Sequence, residues 1–455
     1  MSSWLRRTFS FVVTSALLSF GWPSAAPACD EPRPPRCLAP SGGADDTALL
    51  QGALDRCSGA RRPCTVSLCA GVFPTGILRV RDFRGTLRGA GPEKTVLRAL
   101  PDLPTSRVTP DFYREDPFSP AADPWPFLVQ FVEGRARVLD LAIEVPDPPE
   151  GSKVTTGWFQ FDFPFSSLRG GLLFTGRETV SFAARHVRVE GAAYSAGGDF
   201  QPRTASIGAS CEGLLFDPDP PAGYSSDYPV FPFEGACSIT DSSFRGVLRG
   251  TVLWELAGAK VLLAGNRYEG SKAVEILDAD RSHVAVLGND WDVSVRGLQV
   301  QQNVDGAPSG HSAIAVSGNR GRVVPSYLGD GLSFVDPFDP TYEPGGTALR
   351  VTGNDWTIGD ASLPAVAGLE IVGAARLRVR DNLLGGRVLN GLTVDGTTGC
   401  RLSRNAFDWE LVGAGPDVPL PPDLRLGPET SGCLAVVGPD DTVVDEGRDN
   451  RVVRK

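Results

Sequence analysis

The chain has 455 residues and a formal net charge of −10, with 53 glycines, 38 prolines and 41% hydrophobic residues. That acidic balance argues against nucleic-acid binding, which needs a broad basic footprint, and leaves only a local basic site or bound cations for attracting an acidic polymer. A compact chain of this length would divide into two or three domains, whereas a solenoid grows along one axis and escapes that count.

The N-terminus has the pattern of an export signal. Arg6 and Arg7 precede a mostly apolar run from Phe9 to Trp22, and Ala26-Pro27-Ala28 offers a small-x-small cleavage site before Cys29. Residues 1–28 are therefore expected to be a signal peptide, and removing its two arginines takes the charge to −10 − 2 = −12. A cysteine at the cut leaves a lipoprotein open beside ordinary secretion. No later apolar run is long enough to span a membrane. Nine cysteines suit an exported chain; none forms a CxxC pair, and only three histidines accompany them, so disulfides are expected rather than zinc. Cys57–Cys64 and Cys211–Cys237 are the favoured pairs, with Cys37–Cys69 and Cys400–Cys433 as further ones.

After a Pro-rich segment at 29–43, Asp45 or Asp46 is placed to cap a helix running to Cys57, with Leu50, Leu54 and Cys57 on one face. Strand-turn units follow over Thr65–Phe73, Ile77–Val80, Gly85–Gly91 and Thr95–Leu97. Asparagines then recur after short alternating strands at Asn266, Asn289, Asn319, Asn354, Asn382, Asn405 and Asn450. Such a unit with irregular insertions is a solenoid signature. Asn tolerates a left-handed turn and its amide can bond to neighbouring turns, so an internal asparagine ladder is expected, with His186 and Asp241 in the same position of earlier coils. Phe244, Tyr268, Trp291, Trp356 and Phe407, two residues after that position, are expected to stack inside.

The stretch from Gly43 to Cys57, followed by TVSLCAGVFPTG and GTLRGAGPEKTVL, resembles the opening of the pectate-lyase-like superfamily, and the asparagine repeats resemble its turn asparagines. The resemblance implies an all-β fold: a right-handed parallel β-helix of about ten coils over residues 44–455, capped by the N-terminal helix. It specifies no one activity. The Gly-His-Gly and paired-Asp motifs of polygalacturonases are absent, as is the Arg-x-Pro-x-x-Arg segment of pectate lyases. Asp336-Pro337-Phe338-Asp339 resembles the Asp-Pro-His-Asp motif of alginate epimerases, with Phe338 in place of the histidine.

Alternation places one residue of each coil's first strand outward. Read this way, the outward series is Leu173, Leu215, Glu255, Glu275, Gln299, Ser333, Glu370, Thr393 and Ala435. Glu255 and Glu275 would then lie on successive coils, able to act as acid and base or to hold calcium, with Glu370 further along. Gln299, Lys260, Lys272 and Arg267 are the accompanying candidates for substrate contact. A solvated acidic row is the plainer reading of the same residues. The functional expectation is an exported, monomeric protein that binds or presents on polysaccharide; a lyase or hydrolase of an acidic polysaccharide is the alternative.

Overall fold

A computed structural model describes residues 37–58, 62–100, 127–145, 154–155, 162–163, 170–177, 180–191, 207–213, 232–302, 311–324, 330–335, 346–361, 364–413 and 420–455. The expected signal peptide, Cys29, Leu215 and the Asp336–Asp339 segment lie outside these residues. Over Cys37–Lys455 the chain is a right-handed parallel β-helix. Each full coil contributes to three parallel sheets. The first sheet includes Gly170–Thr175, Ile207–Glu212, Asp330–Val335, Ala367–Val372 and Leu392–Asp395. The second includes Lys260–Ala264, His283–Leu287, Ala313–Ser317, Ala348–Thr352 and Arg376–Arg380. The third includes Arg320–Val323, Asp355–Ile358 and Ala406–Leu411. Ser243–Ala257, Arg267–Asp280 and Asp290–Gln301 each run from the third sheet round the corner into the first.

The helix spans Thr47–Asp55 and buries Leu50, Ala53 and Leu54 against the first coil. Asp46 is its N-cap residue, but its side chain accepts from the Ser41 backbone instead of capping. Gln51 closes the open edge of the first sheet: its amide donates to the Arg79 carbonyl at 2.8 Å and accepts from the Arg79 N–H at 3.1 Å, as a further strand would.

Six of the asparagines form one ladder. The Asn289 Oδ1 accepts from the Asn266 N–H at 2.9 Å, while its Nδ2 donates to the Leu263 carbonyl and to the Asn319 Oδ1. The pattern repeats through Asn319, Asn354, Asn382 and Asn405. Two expectations change. The left-handed residue is the one before each asparagine: Gly265, Gly288, Gly318, Gly353, Asp381 and Arg404, and in earlier coils His186 and Asp241. His186 and Asp241 therefore sit one position before the ladder, where Val187 and Ser242 take the asparagine's place. Asn450 also leaves the ladder. Leu434 pairs with Arg451, so Asn450 falls beside Cys433 and accepts its N–H at the opposite end of the second sheet.

The aromatics stack inside as expected. Phe244 and Tyr268 lie 5.2 Å apart, Trp291 and Trp356 5.4 Å, with Phe407 partly buried against the same core. Their bulk dictates small residues at the corner into the first sheet. A Cβ on Gly250 would meet the Tyr268 ring at 2.2 Å, and one on Gly297 would meet Trp291 at 2.9 Å. All four expected disulfides are present: Cys37–Cys69, Cys57–Cys64, Cys211–Cys237 and Cys400–Cys433. Peptide mapping of the unreduced protein is expected to recover these four pairs; Cys57 and Cys64 both free would contradict the arrangement. Replacing Asn289 or Asn354 with valine removes a buried amide bonded on both sides, and chemical denaturation is expected to show a loss of roughly 1–3 kcal/mol for each.

Candidate functional site

The register of the first sheet decides which side chains share its outer face. The outward row runs Gln130, Leu173, Ser210, Val252, Glu275, Gln299, Ser333, Glu370, Thr393 and Arg425. Glu275 thus pairs with Val252, not with Glu255. Glu255 lies three residues further on, in a left-handed corner conformation (φ 52°), and its counterpart in the next coil is Asp278 (φ 50°). The alternation breaks at that corner: Leu253 lies in the main core, Trp254 packs in a separate outer cluster, and Leu256 returns to the core. Ala435 belongs to the second sheet and is buried in the core.

Among the expected contact residues, Lys272 and Gln299 join Glu275 and the others do not. Lys260 opens a strand of the second sheet, and Arg267 lies on the third, paired with Glu269 at 2.6 Å. Glu370 is exposed and three strand spacings from Glu275, about 14 Å. Carboxyl pairs that cleave glycosidic bonds stand about 5–9.5 Å apart, so Glu275 and Glu370 do not form one.

What surrounds Glu275 is a set of cations. Arg249, Lys272 and Arg296 occupy one register position on successive coils. Arg249 Nη1 lies 2.8 Å from Glu275 Oε2, and Lys272 Nζ donates to Glu275 Oε1 at 2.8 Å and to Gln299 Oε1 at 2.9 Å. Gln299 Nε2 in turn donates to Gln301 Oε1 at 3.1 Å. Burial alone would raise the Glu275 carboxyl, but the charges of Arg249 and Lys272, with Arg296 nearby, hold it below the usual glutamate range. Burial, reinforced by Arg249, draws the Lys272 ammonium below its usual value even though Glu275 opposes this. The calcium expectation does not fit here. Both oxygens of Glu275 already face cations, and the described residues contain no group of three His, Cys, Asp or Glu side chains able to hold a metal.

The same face changes character along the axis. Toward the N-terminus, Phe127, Leu173, Ile207, Val252 and Trp254 form a small buried apolar cluster outside the main core, with Leu277 packed against it. Beyond it come the cations and then Gln299, Gln301 and Ser333. Arg249, Arg296 and Gln301 were not singled out from the sequence. The two arginines carried a signal in Arg249-Gly250 and Arg296-Gly297, a basic residue before a glycine that the aromatic stack requires; Gln301 carried none.

Glu275→Gln is expected to lower stability at pH 7 by roughly 3 kcal/mol, since it leaves two cations on a largely buried amide. The folded carboxyl titrates below its unfolded value, so its contribution is complete above the ordinary glutamate range and is lost as pH falls through the depressed folded value. Melting curves of variant and wild type should therefore converge as pH drops below about 4.

No family model and no curated protein matches this chain in sequence. Several solved structures match in shape. The Azotobacter vinelandii mannuronan C-5 epimerase AlgE4 A-module is 12% identical, with a TM-score of 0.52 over 92% of this chain and 96% of that one. The periplasmic alginate epimerase AlgG is 12% identical, with a TM-score of 0.41 over 88% and 80%. An E. coli bacteriophage tailspike protein in complex with a pentasaccharide is 13% identical, with a TM-score of 0.45 over 91% and 78%. At these identities the likeness concerns the fold alone, a right-handed parallel β-helix.

Proposed function

We propose that this protein is an exported glycan-binding β-helix whose first-sheet outer face takes an acidic polysaccharide. The observation that carries this reading is the row Arg249–Lys272–Arg296, three cations in register with one buried carboxylate, Glu275, to orient them. A local excess of positive charge on a chain of net charge −10 needs a reason, and an anionic sugar supplies one. Carboxylates of the glycan would meet Arg249 and Arg296, while the half-buried Gln301 supplies hydrogen bonds to hydroxyls.

Glu275 acts here as an anchor for the cations. A carboxyl held ionised between Arg249 and Lys272 is a poor proton donor, and its paired oxygens suit positioning better than proton transfer. The fold neighbours support a glycan ligand by analogy: one is named a mannuronan epimerase, and one holds a pentasaccharide. Four disulfides and the signal-like N-terminus agree with export. Among the described residues no helix is long and apolar enough to cross a membrane.

A screen against pectate, alginate and glycosaminoglycans, reading binding, unsaturated products and new reducing ends, tests the proposal. Binding is expected, and Lys272→Met with Arg249→Met should weaken it about tenfold or more while the fold is retained. Wild-type affinity in that double variant would remove the first-sheet face as the binding site.

A further inference from the structure

On the second sheet, among the described residues, the outward positions from Arg84 to Arg401 contain no Asp or Glu. Their charges are all positive, and most belong to arginine. The densest group lies near the C-terminal end. Arg350, Arg378 and Arg401 occupy one register position on three adjacent strands, about 4.8 Å apart. Arg376 and Arg380 flank Arg378 on its own strand, two residues to either side. Arg378 therefore has like charge on four sides, and all five guanidinium-bearing residues are exposed.

Like charges directly opposed across strands destabilise a sheet. Where like charges oppose one another on the first and third sheets, a countercharge joins them: Arg188 lies between Glu144 and Glu190, Arg245 and Arg322 meet Glu269 and Asp292, and Glu275 meets Arg249 and Lys272. On the third sheet, in-register neighbours are Arg98 with Glu144, Arg245 with Glu269, Asp292 with Arg322 and Arg387 with Glu410, each joined at 2.7–3.1 Å. On the second sheet only Arg380 of the five has an acidic partner among the described residues, the corner residue Asp381. The fold does not demand arginine there, because the preceding coils carry Ala285 and Ala315 in the row that continues as Arg350 and Arg378.

We infer that the arginine comb Arg350–Arg378–Arg401, with Arg376, is a second anion site, built to take a linear polysaccharide bearing a carboxylate on successive sugars. The row runs along the solenoid axis at a regular spacing, as such a polymer's charges do. Arginine rather than lysine suits bidentate contact with carboxylate. Among the described residues, none of the exposed large hydrophobic side chains (Val72, Leu383, Leu420 and Val444) lies on this sheet. This surface is separate from the Glu275 face, and the reading goes beyond the function proposed above.

The test is the triple variant Arg350→Ser, Arg378→Ser, Arg401→Ser in the full chain. The probes are polygalacturonate, neutral dextran, anionic phosphatidylglycerol vesicles and single-stranded DNA, each at low and physiological salt. Wild type is expected to bind polygalacturonate with a steep salt dependence and to leave dextran unbound. The triple variant should lose affinity about tenfold or more, with an equal or higher melting temperature because repulsion is relieved. The Lys272→Met, Arg249→Met variant separates the two faces: its failure to bind while the triple variant binds normally would overturn this inference and leave the first-sheet reading standing. Absence of wild-type binding to polygalacturonate, or a variant effect confined to vesicles or DNA, would also overturn it.

Discussion

Each coil of a parallel β-helix must turn without leaving its buried backbone groups unpaired, and the asparagine ladder meets that constraint at one corner. An asparagine amide has both an acceptor and two donors, so one side chain can satisfy the N–H of the coil before it and a carbonyl of that same coil. The preceding left-handed residue sets the turn, which is why glycine stands there in four successive coils. With the corner held, the strands on either side are locked in register. That register determines which outward side chains become neighbours, including those of both proposed sites.

The interior imposes a second constraint. Tyr268, Trp291 and Trp356 fill the space beside the corner leading into the first sheet, and Gly250 and Gly297 are small because those rings occupy the space of a Cβ. The basic residue just before each small residue then falls at the edge of the outer face. Core packing and the placement of Arg249 and Arg296 are thus linked through a single step in the chain. Glu275, three residues beyond Lys272, reaches back to the same edge and neutralises part of the charge.

The three outer faces show three ways of handling charge. The third sheet joins several of its in-register charges as ion pairs of opposite sign, which stabilises it. The first sheet gathers three cations about one buried carboxylate. The second sheet leaves its arginines facing one another at the C-terminal end, after a stretch where the same row is alanine. A stability-driven sequence would join opposite charges on all three faces; the two faces that depart from this carry the proposed ligand sites.

Strand periodicity, the recurrence of Asn in front of paired apolar strands and the N-terminal helix sufficed to read the solenoid, its capping helix and its aromatic stack, because each depends on local pattern or on repeats stacked in order; the cysteine spacing suggested pairs but does not fix connectivity, which the stacked coils decide. Lys272, Glu275 and Gln299 were legible as members of one face, since they fall within two regular coils. Glu255, Lys260 and Arg267 were misplaced because a left-handed corner and a bulge shift the alternation, and period-two reasoning carries no information across such a break. Asn450 was misassigned for a related reason: its local frame matches the others, but coil register puts it at a different corner. The composition showed a net acidic chain, and only the stacking of coils, which brings residues 23 to 35 positions apart into contact, decided that its positive charge is sorted onto two faces.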